Sequence, residues 1–287
     1  MAKKLLNSKL GIILAIVGLS VNLQASGGDE ILYSANVRSD NQVSLQSGAR
    51  TYMNYCLACH SMKHMRYEQL VEGLGIPAEI VQKNLMFTGE KITDHITNNM
   101  PIDAAKEWFG IAPPDLTLIA RVRGVDWLYT YLKSFYADEK RPFGVNNTLF
   151  KDVGMPHILA PLQGKQIKSA ATKQLEAKIE AADVAVYLAK RDNDATALAA
   201  QTVIFHEATE ELAKLVHDGG YFEISIAGTL SEAEYDELLR DLVNFMDYAA
   251  EPVKLERQAL GKKVILFLMF FFVLTYFLKK EYWKDVH

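Results

Sequence analysis

Cys56-Leu57-Ala58-Cys59-His60 decides how the rest of the chain is read. The pattern C-x-x-C-H is that of covalent c-type haem attachment. Each thiol adds to one porphyrin vinyl, and the two residues between them set a separation that matches the two vinyls. His60 follows at once, so its imidazole is placed to ligate iron from the proximal side. The chain has 2 cysteines and both lie here, which leaves no thiol for a disulfide or a four-cysteine metal site. A dithiol redox motif needs a βαβ setting, and the flanking sequence does not offer one. A zinc site needs a second close pair of Cys or His, and His64 is the only nearby candidate.

The 287 residues, 49% of them hydrophobic, suffice for one substantial domain with accessories. A net charge of −4 argues against nucleic-acid binding as a main role. Lys3, Lys4 and Lys9, the apolar run from Leu10 to Val21 and the small residue Ala25 have the layout of a secretory signal peptide cleaved after Ala25. The alternative, an uncleaved anchor, requires about 20 apolar residues, which this run lacks. C-type haem is attached outside the cytoplasm, so export and the haem motif agree.

A second apolar run, Val264 to Leu278, carries no charge. Leu260 and Gly261 extend it, Lys262, Lys263, Lys279 and Lys280 bracket it, and Tyr282 and Trp283 suit an aromatic belt. All its faces are apolar, so a membrane span is expected rather than a buried soluble helix. The flanking charges do not orient it; an exported haem domain does, with the C-terminal tail inside. The expected layout is a signal peptide at 1–25, a periplasmic domain at 26–258, an anchor at 259–280 and a cytoplasmic tail at 281–287.

Between the termini, residues 26–43 read as a polar, strand-poor arm, and Gln46 to Tyr55 as a helix running into the haem motif. Asp115, after Pro113 and Pro114, reads as the N-cap of a helix. Leu116, Ile119, Ala120, Trp127, Leu128, Tyr131 and Leu132 include helix-period positions. Pro113 offers a flat apolar surface to a porphyrin edge, and Arg121 or Arg123 is placed to pair with haem propionates. Two methionines precede prolines, Met100 and Met155, and either thioether suits the distal side of the iron. His64, His95 and His157 are rival ligands, read here as ordinary loop or surface histidines.

Residues 163–219 are rich in Ala, Lys, Glu and Gln. Apolar steps of three and four at Ile167, Ala171, Leu175, Ile179, Ala182 and Val186 stop at 191–194. They resume at Leu198, Phe205, Ala208, Leu212 and Leu215. This predicts a hairpin of two amphipathic helices, either a solvated decoration or a contact for a neighbouring subunit or electron acceptor. Ser231 and Glu234 form a capping box for a last helix carrying Tyr235, Leu238, Leu239, Leu242 and Phe245 towards the core, and Pro252 ends it.

The segments "CLACHSMKHMRYEQL" (56–70), "EWFGIAPPDLTLIARVRGVDWLYTYLKSFY" (107–136), "RPFGVNNTLFKDVGMPHIL" (141–159) and the stretch 230–287 together resemble the cytochrome c1 family; residues 162–220 show no such likeness. The resemblance implies an all-α c-type cytochrome domain with an inserted helical hairpin and one C-terminal transmembrane helix, in a bacterial inner membrane. It implies one covalent haem c on Cys56 and Cys59, His60 and Met155 as axial ligands, Arg123 as the propionate partner and Pro113 against the porphyrin. It implies an electron-transfer subunit rather than an enzyme, passing single electrons from a Rieske iron–sulfur protein to soluble cytochrome c beside a cytochrome b. The alternatives are a solitary membrane-tethered electron shuttle and a haem peroxidase or oxidase subunit. The latter needs an open sixth position on the iron.

Overall fold

The computed structural model describes residues 32–286; the expected signal peptide lies outside them. Helix α1 (Gln42–Tyr55) leads into the cysteine motif and is followed by β1 (Met62–Arg66), α2 (Glu68–Glu72), α3 (Ala78–Asn84) and β2 (His95–Ile96). Then come α4 (Ile102–Phe109), α5 (Ile119–Arg123), α6 (Val125–Lys133), β3 (Phe135–Ala137) and β4 (Val145–Asn147). The chain continues through α7 (Ala160–Gln163), β5 (Gly164–Lys168), α8 (Ala170–Arg191), α9 (Ala195–His217) and β6 (Phe222–Ala227). It ends in α10 (Glu232–Ala250) and α11 (Lys254–Tyr282), with a last 3₁₀ turn at Trp283–Val286.

The core is the crossing of α1 and α10. Asn41 caps α1, its side-chain oxygen accepting from the Ser44 N–H at 3.3 Å, so the helix starts at Gln42, ahead of the Gln46 expected from spacing. Leu45, Gly48, Ala49 and Tyr52 follow at steps of three and four and are all buried. The facing helix opens with the expected capping box: the Ser231 N–H donates to Glu234 Oε2 at 2.9 Å and the Glu234 N–H to Ser231 Oγ at 3.4 Å. The backbones come closest at Gly48. A Cβ there would lie 2.0 Å from the Asp241 carbonyl oxygen and 2.7 Å from Phe245 Cβ, so no larger residue fits. Ser44 Oγ donates to Asp241 Oδ1 at 2.6 Å, and the Tyr52 and Phe245 rings pack at 5.8 Å. Each fully buried Leu, Phe or Met side chain in this seam contributes ~1.5–3 kcal/mol. The second half of α10, from Leu242 to Ala250, is buried on every face.

Helices α5 and α6 are two, where apolar spacing suggested one run. Gly124 breaks them with φ 90° and ψ 153°, a left-handed φ that glycine tolerates. Leu128, Tyr129, Thr130 and Leu132 of α6 are buried. The arm before α1 lies across α6: the Tyr33 N–H donates to Thr130 Oγ1 at 2.8 Å and the Ala35 N–H to Asp126 Oδ1 at 2.7 Å.

The helical reading holds, with an addition. Three two-stranded antiparallel pairs, β1–β2, β3–β4 and β5–β6, staple the loops. β5 and β6 clamp the base of the expected hairpin, with Lys168 opposite Phe222. The hairpin itself is α8 and α9, capped by Ser169 and Asp194, with its break at Asp192–Asp194 as the spacing indicated. Ile167 belongs to β5, and Thr172 rather than Ala171 is buried in α8. The helices bury Ala182, Ala189 and Ala208 chiefly against each other. At the base, Lys168 pairs with Glu176 at 2.7 Å, and Tyr221 Oη donates to the same carboxylate at 2.6 Å.

A short Gly-Ser turn joining Lys168 to Phe222 in place of the hairpin should leave the domain folded. Its strand partners already face each other, so the expected cost is about 1 kcal/mol, or a shift of ~2–4 °C in thermal midpoint. A loss of cooperative melting, followed by circular dichroism, would make the hairpin part of the core.

Helix α11 is long and apolar enough to cross a membrane, and the side chains of its apolar run are almost all exposed. Its 29 residues rise ~44 Å, more than the ~30 Å of a hydrocarbon layer. As expected, Pro252 separates it from α10.

Candidate haem site

The motif is folded by the end of α1. The Cys56 and Leu57 N–H groups both donate to the Tyr52 carbonyl, at 2.9 and 3.0 Å. The Cys59 and His60 N–H groups then both donate to the Cys56 carbonyl, at 3.1 and 2.8 Å. Both thiols and the imidazole therefore hang from one tight turn. Tyr52 fixes that turn a second time, its hydroxyl donating to the His60 carbonyl at 2.6 Å. Burial pushes the Cys56 thiol up to about 12 and raises that of Cys59 as well. Both sulfurs are thus held uncharged.

His60 Nδ1 lies 2.8 Å from the Pro114 carbonyl oxygen. A carbonyl only accepts, so Nδ1 carries the proton and Nε2 keeps its lone pair. Burial lowers the His60 pKa, which favours the neutral ring. The carbonyl is aimed by a row of bonds between residues 61–64 and 115–117. The Leu116 N–H donates to the Ser61 carbonyl at 2.9 Å, the Lys63 N–H to Asp115 Oδ2 at 2.7 Å and the His64 N–H to Thr117 Oγ1 at 3.3 Å. Asp115 is therefore not a helix N-cap. Its other oxygen closes a turn on the Thr117 N–H at 2.9 Å, and α5 begins only at Ile119. Pro113, half-buried, sits beside this row.

Asn98 holds the motif from another side. Its side chain donates to the Cys59 carbonyl, and its N–H donates to Ser61 Oγ at 2.9 Å. Met100 follows two residues later, its N–H on Asn98 Oδ1 at 3.3 Å. The Met100 segment is thus fastened to the motif itself.

Met155 lies elsewhere, on the loop between β4 and α7. Asparagines build that loop. Asn147 Oδ1 accepts from the Leu149 and Phe150 N–H groups at 2.9 and 3.2 Å, and Asn146 Oδ1 accepts from the Asp152 N–H at 2.9 Å. Arg141 spans it, pairing with the Asp152 carboxylate at 3.0 Å. Gly154 passes so close to the Phe109 carbonyl oxygen that a Cβ would lie 2.8 Å from it. Met155 Sδ then receives the Tyr131 hydroxyl at 3.5 Å. Tyr131 stacks on Trp127 at 5.1 Å, and the Arg123 guanidinium lies over Trp127 at 4.9 Å. Trp127 and Tyr131, one turn apart on α6, and Arg123, just across the Gly124 break, thus form a chain of contacts leading to the sulfur.

Among the rivals, His157 is committed elsewhere. Its ring stacks on Phe135 at 4.8 Å, its Nε2 meets Gln163 Oε1 at 2.7 Å, and burial pushes its pKa down to about 4. His64 and His95 are exposed. The donor set suits a covalently held haem: two uncharged thiols and a neutral imidazole on one turn, and a thioether on a separately braced loop. Spacing could not reveal the Pro114 carbonyl, Asn98 or Tyr131. Each reaches its partner through a bond that has no local sequence signature.

A family model described as "Cytochrome C1 family" matches residues 34–205 and 203–286. The match runs through the hairpin, where the sequence alone had shown no likeness. A protein named "Cytochrome c1" from Allochromatium vinosum is 47% identical over 92% of this chain and 93% of its own. The "Ammonia monooxygenase gamma subunit" of Nitrosomonas europaea is 35% identical over 96% of this chain and 97% of its own. A "Cytochrome b/c1" of Bradyrhizobium diazoefficiens is 23% identical over 85% of this chain and 33% of its own.

Proposed function

The chain belongs to the cytochrome c1 family, carrying one covalent haem c as an electron-transfer subunit rather than an enzyme, and from that premise we propose that it passes single electrons from a Rieske iron–sulfur protein to a soluble cytochrome c within a quinol-oxidising membrane complex. Haem, when bound, would supply a one-electron couple; everything else falls to the residues of this chain.

In this reading Cys56 and Cys59 form the thioether links. A thioether has no proton to lose, so the burial that disfavours a thiolate at Cys56 costs it nothing. His60 is the proximal ligand through Nε2. The observation that carries this is the Pro114 carbonyl on Nδ1, which fixes both the tautomer and the ring plane. Met155 would be the second ligand, a neutral sulfur that would favour the reduced iron and leave no place for oxygen. Arg123 would be the propionate partner, its guanidinium held over the Trp127 ring at 4.9 Å. Pro113 packs on the porphyrin edge. Ile111, Leu118 and Val122 are exposed along the same segment, apolar surface of the kind a porphyrin covers.

The described helix α11 serves as a single-pass anchor, with residues 26–258 outside the cytoplasm, 281–287 inside and residues 1–25 as a cleaved signal. A cytochrome b of the same complex is the expected neighbour, and the name of the Bradyrhizobium relative supports it.

Purification of the tagged, haem-loaded full chain from membranes in mild detergent tests the reading. A cytochrome b and a Rieske protein should come with it, and quinol should reduce its haem. Recovery alone would leave a solitary shuttle. Recovery with a monooxygenase would place it in the company named for the Nitrosomonas relative.

A further inference from the structure

We propose that Tyr131 tunes the centre by donating its hydroxyl hydrogen bond to the Met155 sulfur and so raises the reduction potential. This rests on the reading of Met155 as the distal ligand.

The contact is 3.5 Å from Oη to Sδ. A thioether sulfur has two lone pairs. With one given to iron, the other can accept a hydrogen bond. A donor on that second pair draws electron density from sulfur, weakens its donation to the metal, and disfavours ferric more than ferrous iron.

The hydroxyl is not placed by chance. Trp127 stacks on one side of the ring at 5.1 Å and 11°, and Phe135 meets it edge-on at 5.2 Å. Along the backbone, the Tyr131 carbonyl accepts from Asn147 Nδ2 at 2.7 Å. Asn147 is the residue whose Oδ1 starts the Met155 loop. One residue of α6 thus holds the loop where it begins and touches it again at the sulfur. The clamp sets the sulfur's position relative to the ring as well as its electronics.

The test uses the full, haem-loaded chain with three substitutions: Tyr131→Phe, fluorotyrosine at 131 and Met155→Leu. Potentials are read by spectroelectrochemical titration, ligation by the sulfur-to-iron charge-transfer band. Tyr131→Phe keeps both ring contacts and loses only the donor. The potential should fall while the band persists. Fluorotyrosine is a stronger donor on the same ring and should raise the potential. An unmoved potential in both variants overturns the proposal, as does loss of the band in Tyr131→Phe, since the hydroxyl would then hold the ligand rather than tune it. The Met155→Leu control separates two failures. If it loses the band and Tyr131→Phe changes nothing, the tuning claim alone is wrong. If it keeps the wild-type band and potential, the ligand assignment falls and the tuning claim with it.

Discussion

Met155→Leu is expected to abolish the sulfur-to-iron charge-transfer band and lower the reduction potential by on the order of 0.1 V, within the ~0.8 V that axial ligands span. Met100→Leu should do neither. The two methionines look alike in sequence, each followed by proline. The fold places them in differently braced segments. Met100 follows Asn98, which grips the Cys59 carbonyl and the Ser61 hydroxyl, so its segment is tied to the motif that carries His60. With His60 holding the iron from this segment, a second ligand would have to come from a segment braced apart from it. Met155 comes from a loop braced by Asn146, Asn147 and Arg141, and its sulfur is already within reach of a hydroxyl. Visible spectra and redox titrations of both variants decide the matter. If Met100→Leu lost the band and Met155→Leu kept it, the ligand would move to Met100.

The double variant Cys56→Ala, Cys59→Ala should release all its haem into acid–acetone, whereas the parent keeps its haem with the protein. Each single variant should keep one link and resist extraction. Tethering raises overall binding strength by ~10²–10⁴ without any new contact. Without it, only axial ligation and apolar contact hold the haem, and occupancy after purification should drop at least tenfold. The substitution also truncates Cys56, a buried residue of the core, so cooperative thermal melting should weaken in the same variant. Haem that extracts freely from fully matured parent protein would sink the reading of this motif.

Much of this was legible in the chain. The haem motif, the capping box at Ser231, the break at residues 191–194 and the apolar C-terminal helix are local patterns, and local physics fixes them. The misses share a cause. The β-pairs are short and of mixed polarity, so Gly164–Lys168 gives no period-two signal. The alternation at Phe222, Ile224 and Ile226 was readable, but it says nothing about its partner. Asp115 after two prolines has the chemistry of a cap, yet one of its oxygens accepts from the Lys63 N–H beyond the haem motif and the other closes a local turn on the Thr117 N–H. The Pro114 carbonyl reaches His60 across 54 residues of sequence. A carbonyl belongs to every residue type, so composition cannot mark it. Tyr131 reads as a core position in a helical stripe, and only its neighbourhood makes its hydroxyl a donor to sulfur.

The tight crossing at Gly48 also bears on how the molecule assembles. Ser44 and Asp241, bonded across it, are 197 residues apart in sequence, which makes closing that loop from an open coil cost roughly 5 kcal/mol of chain entropy. The helix that delivers the cysteines is made first and its partner nearly last. Until α10 emerges, Leu45 and Tyr52 lack the helix they cross in the folded domain. The topology is therefore one of high contact order despite its helices, with a correspondingly slow closing step. A chain that stops at residue 230 contains every residue of the candidate haem site and lacks the clasp that gives them a native state.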